Sequence, residues 1–440
     1  MNPVFPLNEF IPDGEPHVFE SRLYLYGSHD EQDGKRYCPG SFVTYSCALN
    51  DLDNWRYEGE IYNKKQDPLN ADGSHDLYAP DVVQGRDGWY YLYYGLDQVN
   101  EISVARSPSP KGPFSYYGIV RYPPGTEREK LPYYPYSFDP GLLRDGDHIW
   151  LALGFSVDFK IPGLDLKPQN QRGAFITELE DDMLTMKCIP QYVIPGYGQG
   201  KGTSFEDHEF LEASSLRKYN GHYYFIYSSQ AQHELCCAVS DSVYGPYTFQ
   251  NVLISNAFEN GLQNNWANNH GSIVQVHDSF YIFYHRHTYG RQYSRQACAE
   301  KIDYDGMRFS QASVTTGGME GLLKKGILPA ARACFVCDLP GGVFIPFGEE
   351  SMDTARIEGE QIVNIRDSKI IFRYFESVSE VVLIMENAGE GSVSLYMRDT
   401  LQGTQELSKQ VHFTAFGKNT DLTLVFHSQK PLILKEIRIL

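Results

Sequence analysis

Five times along this chain, a strand, a polar turn and an aromatic-rich strand follow one another. The units read HVFESRLYLYG, DVVQGRDGWYYLYYG, DPGLLRDGDHIWLALG, EASSLRKYNGHYYFIYSS and HGSIVQVHDSFYIFYHR. A second motif follows some of them: SVARSPSPKGPFSYYGIV and CCAVSDSVYGPYTFQNVLI share a strand, a Gly-Pro-aromatic turn and another strand. Short Tyr/Val/Ile/Phe runs broken by Gly, Pro, Asn and Asp are strand signals, and long helical periodicity is missing. Four strands per unit, repeated radially, make the blades of a β-propeller. The expected fold is therefore all-β, with a five-bladed propeller at its centre.

Aligning the units places one acid or imidazole at the same point of each. Asp13 precedes Gly27 by 14 positions and Asp81 precedes Gly95 by 14. Asp139 precedes Gly154 by 15, Glu212 precedes Ser228 by 16 and His270 precedes His285 by 15. The first strand of a blade lines the central axis, so these five positions predict a ring around the channel mouth. Asp and Glu are ordinary turn residues; five in register are what a turn preference alone does not supply. Two carboxylates across a glycosidic bond are the minimum for its hydrolysis, one protonating the leaving oxygen and the other activating water or attacking. A third can hold one of the pair protonated. Asp13, Asp139 and Glu212 meet that need.

Charge and composition narrow the ligand. The net charge of −18 argues against nucleic acid and anionic membrane surfaces, which call for basic patches. Aromatics make up 14% of the chain, with 32 Tyr, and flat rings with polar edges suit sugars as well as strands. The start, MNPVFPLNEFIPDGEPH, has neither a basic nor an apolar signal region, and no run approaches the roughly 18 apolar residues of a membrane span. A cytoplasmic location is the expectation. The eight cysteines include a lone C-x-x-C at Cys334 and Cys337 and an adjacent pair, Cys236 and Cys237, and read as reduced, mostly buried thiols.

At the ring positions the chain resembles glycoside hydrolase family 43. The stretches are IPDGEPHVF with Asp13, LYAPDVV with Asp81, SFDPGLL with Asp139, FLEASSLRK with Glu212 and NNHGSI with His270, over roughly residues 1–320. The resemblance implies a five-bladed propeller of inverting enzymes that cleave arabinosyl or xylosyl residues. It implies Asp13 as general base, Glu212 as general acid and Asp139 as the residue that raises the acid's pKa and orients it. Two departures stand out. Gly14 follows Asp13 where the family often has Pro, and Tyr78 precedes the Ala-Pro of the second unit where many members have Trp. Tyr78, Asp81, Trp266, His270, Arg291 and Arg295 are the expected sugar contacts. The resemblance also places His270 near an axial calcium ion held mainly through waters, although calcium prefers oxygen ligands. No cofactor is required; the calcium would be structural.

The segment YHRHTYGRQYSRQ carries His285, Arg286, His287, Arg291 and Arg295. Such a cluster can fix sugar hydroxyls, offset carboxylates, pair blades, or bind phosphate in a glycoside phosphorylase. Glu212 together with Asp13 favours water. Retaining enzymes of the invertase type use N-D-P-N-G, R-D-P and E-C signatures, and PDGE, FDP and EAS do not match them. The expected activity is an exo-acting α-L-arabinofuranosidase on plant-type oligosaccharides, since insertions at 50–77, 120–137 and 156–171 should close one end of the channel. β-Xylosidase or β-galactofuranosidase action on the same site is the alternative. A non-catalytic carbohydrate-binding propeller is the reading from another class.

The expected domains are the propeller at 1–320, a linker at 321–344 and a β-sandwich of jelly-roll type at 345–440. The last shows alternating strands such as KIIFRYF, EVVLIMEN and GSVSLYMRD. Phe372, Tyr374, Phe375 and Tyr396 are its candidate sugar platform; aromatics in strands are more often core, so a structural role is expected, with a loop capping the pocket.

Overall fold

The computed structural model describes residues 1–161, 163–164, 166–231, 233–255, 268–289, 292–339 and 353–440. Its first part is a five-bladed propeller. Blade one is Glu15–Phe19, Arg22–Tyr26, Phe42–Ala48 and Asp51–Tyr62. Blade two is Leu77–Gln84, Tyr90–Leu96, Ile102–Ser107 and Ser115–Ile119. Blade three is Gly141–Asp145, His148–Gly154, Gly173–Glu178 and Gln191–Pro195. Blade four is Phe210–Tyr219, His222–Ser229, Leu235–Ser240 and Thr248–Ile254. In each, consecutive strands pair antiparallel from the axis outward. Among the described residues the blades contain no α-helix, only single 3-10 turns.

Among the described residues blade five departs from the expected four strands: Ile273–Val276, Ser279–His287 and Arg295–Ile302 form a three-stranded sheet. The start of the chain takes up its free edge. Val4 N–H donates to Ala297 O at 3.0 Å, Ala299 N–H to Asn2 Oδ1 at 2.9 Å, and Asn2 N–H to Thr316 O at 3.0 Å. An edge strand needs such partners for its backbone groups. The latch also closes the ring, because blade one follows directly from it.

Sheets stacked around an axis are covered on both faces, so their middle strands are apolar on both sides. All seven residues of Tyr90–Leu96 are buried, whereas most of the outermost Asp51–Tyr62 is not. Each neighbouring pair of blades shares one apolar cluster, from Tyr26, Phe42, Leu92 and Tyr94 between one and two to Leu25, Tyr45, Val274 and Phe283 between five and one. Near the axis the inner strands approach closely: a Cβ on Gly141 would lie 2.2 Å from Ser214 O of blade four.

The second part is a nine-stranded antiparallel β-sandwich, dominated by Ser368–Met385 and Gln410–Ser428. Phe372 and Phe375 are fully buried in its core beside Leu383, Leu424 and Ile437, so they offer no platform to a sugar. Residues 321–344, expected as a linker, supply two of its strands: Gly326–Pro329 pairs with Leu432–Ile439, and Phe335–Asp338 with Ser368–Met385. The two parts touch. Arg286 of blade five donates to Ala331 O and Ala333 O at 2.8 and 2.9 Å, and Tyr289 N–H to Ile357 O at 3.1 Å.

Arg217 ties three blades at the axis. Its guanidinium donates to Glu15 Oε2 of blade one at 2.5 Å and to Ile273 O of blade five at 3.0 Å from its own place in blade four. Removing one member of a buried pair leaves the other charge uncompensated, at a cost of about 3–5 kcal/mol. Arg217→Met should therefore lower the unfolding free energy by about that amount, and Glu15→Gln added to it should restore most of the loss. Chemical denaturation of the single and double variants measures both.

Candidate active site

The heads of the inner strands are bent away from regular extended geometry. Asp13, Ala79, Asp139 and Ala213 all have positive φ, at 57°, 42°, 47° and 66°. Strand registers shift between Tyr78 and Asp81 and around Glu212. A left-handed conformation costs a non-glycine residue roughly 1–2 kcal/mol, and bulges of this kind re-aim side chains. Here they turn the carboxylates toward one another. Ala213 N–H donates to Asp139 Oδ2 at 2.8 Å, so the backbone beside Glu212 grips the neighbouring acid.

Three of the predicted residues, Asp13, Asp139 and Glu212, come together with His270. Asp13 is 7% and Asp139 4% exposed. Burial, then the charges of Asp139 and Asp13, push the Glu212 carboxyl up to about 8, against the opposing pull of His270 and Arg295. At neutral pH Glu212 thus holds a proton. Burial raises Asp139 to about 6, with His270 opposing and Asp13 assisting. Burial works against protonating His270, but the nearby Glu15 carboxylate and the charges of Asp139 and Asp13 prevail and raise it to about 9. Its Nδ1 lies 3.8 Å from Asp139 Oδ2 and its Nε2 3.6 Å from Glu15 Oε1. His233, by contrast, is driven down to about 4 by burial and by His287, so a neutral imidazole sits 3.7 Å from Glu212 Oε1.

Asp13 has a different environment. Its Oδ1 accepts from Arg295 Nη1 at 3.0 Å. Arg295 is fixed by a forked pair with buried Asp30, Nε to Oδ2 at 2.8 Å and Nη2 to Oδ1 at 3.0 Å, and it lies over the Tyr37 ring at 4.8 Å. Nη2 also reaches Cys38 Sγ at 3.2 Å. His285 Nδ1 accepts the Asp13 backbone N–H at 3.3 Å while its Nε2 faces Asn268 O at 2.8 Å. That pattern requires the neutral tautomer protonated on Nε2, in keeping with burial and Arg295 holding the ring well below its ordinary value.

The remaining expected contacts divide. Tyr78 is half-buried edge-on to Phe138, at 6.1 Å, beside Asp139, where it can wall a pocket. Asp81 is wholly buried. It bonds His17 Nε2 at 2.5 Å and accepts the N–H of Leu142 in blade three at 2.6 Å, so it fastens blades and faces no sugar. Arg295 is directed to Asp30 and Asp13, so its guanidinium is not free for a sugar. Trp266 and Arg291 lie outside the described residues. The surroundings of His270 fit an imidazolium better than a calcium ligand. Both ring nitrogens face carboxylates, and Glu15 Oε1, beside Nε2, is buried without a hydrogen-bond partner.

Sequence reading overlooked Glu15, His17, Asp30, Cys38, Tyr37, Arg217 and His233. Glu15 and His17 alternate along the strand Glu15–Phe19 and Asp13 stands two positions before it, a spacing of two that would have grouped all three. Nothing local marks Asp30 or Cys38.

A sequence model of Glycosyl hydrolases family 43 matches residues 1–307. A protein of Thermoclostridium stercorarium named Xylosidase/arabinosidase is 39% identical, the alignment covering 95% of this chain and 89% of that protein. The solved structure of CoXyl43, a family 43 β-xylosidase/α-arabinofuranosidase from a compost microbial metagenome with xylotriose in a calcium-free form, is 25% identical. It has a TM-score of 0.55 and covers 70% of this chain and 97% of that one. A family 43 arabinoxylan arabinofuranohydrolase from Bacillus subtilis with cellotetraose shares the fold over 100% of this chain and 97% of its own, at a TM-score of 0.54 and 19% identity.

Asp139 gives the site its clearest signature. Removing its charge lowers the proton affinity of Glu212, so the basic limb of kcat/KM, expected near pH 8 in the wild type, should move to lower pH in Asp139→Asn. The same carboxylate has a folded value, about 6, above its unfolded one, so its charge opposes folding at neutral pH. Asp139→Asn should raise Tm at pH 7, and the gain should vanish below about pH 4, where both states are protonated. pH–rate profiles and thermal melts at the two pH values check the pair of outcomes.

Proposed function

We propose that this chain, which belongs to glycosyl hydrolase family 43, is an inverting exo-glycosidase that removes terminal α-L-arabinofuranosyl residues from oligosaccharides. That it is a glycoside hydrolase follows from the family. The observation that carries the finer reading is the division of labour within one buried ring: Glu212 stays protonated up to about pH 8, while Asp13 is paired with Arg295. Glu212 would donate its proton to the leaving oxygen. Asp13 would take a proton from water attacking the anomeric carbon from the opposite side, and Asp139 would keep the acid loaded.

Exo action is supported by the way the insertions pack. Tyr134 N–H donates to Gln169 O and Tyr136 N–H to Asn170 O, both at 3.2 Å, joining the 120–137 and 156–171 segments. Tyr136, Phe155, Val157 and Leu211 form an apolar cluster next to Glu212 in sequence, a wall on that side of the ring. Phosphorolysis has less support: Arg295 is committed to Asp30 and Asp13, and Arg286 is buried against backbone carbonyls of residues 331 and 333. A second reading, β-xylosidase activity at the same site, is favoured by the name of the Thermoclostridium stercorarium relative, Xylosidase/arabinosidase.

Nitrophenyl α-L-arabinofuranoside, β-D-xyloside and β-D-galactofuranoside, with and without phosphate, separate these readings. The arabinofuranoside should be cleaved fastest and phosphate should not accelerate it. Asp13→Asn and Glu212→Gln should each lose about 10²–10⁴-fold in rate. Glu212→Gln should be relieved by a nitrophenyl leaving group, which needs little protonation, and Asp13→Asn should not. NMR at early times should show the inverted anomer; a retained product or full activity in Asp13→Asn would refute the mechanism.

A further inference from the structure

Away from the carboxylate ring, a second group of side chains with ligand chemistry meets at the head of blade four. His208 Nδ1 lies 3.4 Å from Glu234 Oε2 and 4.0 Å from Cys236 Sγ, and the three donor atoms are all within 4.8 Å of one another. We propose that His208, Glu234 and Cys236 bind a thiophilic divalent metal ion of the zinc class, with water in the fourth position.

The spacing suits it. Zinc bonds to nitrogen and oxygen at about 2.0–2.2 Å and to sulfur at about 2.3 Å, so tetrahedral ligands stand about 3.4 Å (N to O) and about 3.5 Å (N to S) apart. The His208–Cys236 separation must close by about half an ångström. The donors are held in place beforehand. The His208 ring stacks on Phe249 at 4.3 Å and 5°, and its carbonyl accepts from Tyr227 OH at 2.7 Å. Cys236 pairs with Tyr227 within the sheet. Ser229 N–H donates to Glu234 O at 2.9 Å, closing the loop that carries the carboxylate. Cys236 is fully buried, while His208 and Glu234 remain 28% and 15% exposed at the side chain, which leaves a way in.

One further observation points to a cation. Glu234 Oε2 is buried with no hydrogen bond, although it faces an imidazole and a thiol. One thiolate and one carboxylate balance the double charge of the ion. Loading breaks the Cys236 S–H bond, forms a sulfur–metal bond and releases the proton to solvent. Thiolate ligation selects against calcium and magnesium. The position has a consequence for the enzyme, since Glu234 directly follows His233, the imidazole beside Glu212. An ion there would pin the loop that carries the acid's neighbour.

Cobalt(II) titration of the metal-free full-length protein tests this. One equivalent should produce a thiolate-to-cobalt absorption band that Zn²⁺ displaces. Cys236→Ser should lose the band and keep wild-type glycosidase activity without metal, which reports that it has folded. Glu234→Gln, a partly exposed change, should weaken cobalt binding at least about tenfold. Absence of the band in the wild type, or its persistence in Cys236→Ser, would overturn the proposal.

Discussion

Carboxylates that repel one another are concentrated at the axis of this propeller, and they persist only because other blades supply cations. Two unit charges 4 Å apart interact by about 4 kcal/mol at an effective dielectric constant of 20. Asp13, Glu15, Asp81 and Asp139 are all buried there. Each meets a counter-charge or donor from elsewhere in the ring: Arg295 of blade five for Asp13, Arg217 of blade four for Glu15, His17 of blade one for Asp81, and the Ala213 N–H of blade four for Asp139. The same pairs that make the charges tolerable stitch the blades together, so the chemistry of the centre and the closure of the ring are one problem with one solution.

Within that arrangement, position decides what each carboxylate can do. Burial and the charges of Asp139 and Asp13 outweigh His270 and Arg295 at Glu212, so its proton stays. Asp13 has a guanidinium at 3.0 Å. Asp30 matters through this guanidinium: by taking two of its donors, it holds the planar group in one orientation, which leaves Nη1 for Asp13. The backbone strain at residues 13, 79, 139 and 213 is the cost of this convergence, and it falls on the strand heads rather than on the middle strands that build the core.

The fold was legible because a propeller repeats, and its repeat shows in the sequence as aromatic strands after polar turns. The ring was legible for the same reason: register alone brings Asp13, Asp139, Glu212 and His270 together. Register could not tell an open carboxylate from a tied one, and Asp81 shows the difference, since its partners His17 and Leu142 come from other blades. Asp30 was invisible for a related reason. It sits in an ordinary GSHD stretch, and its meaning comes from Arg295. The three-stranded form of blade five among the described residues and the strands within 326–338 depended on which distant segment covers an open edge, which local pattern does not encode.

The latch at Asn2 and Val4 has an implication for how this molecule comes into being. Asp13 and Arg295 stand 282 positions apart, and the first residues must wait for Ala297 and Thr316 before the ring can shut. Asp13 therefore leaves the ribosome long before its guanidinium is made. Until then its carboxylate lacks the Arg295 counter-charge, Glu212 faces an incomplete ring, and the first blade has an uncovered flank. A nascent chain cut short anywhere before the fifth blade is not a weakened enzyme but one without an assembled centre. Birth of the activity is thus a single late event, set by the last part of the propeller to be synthesised.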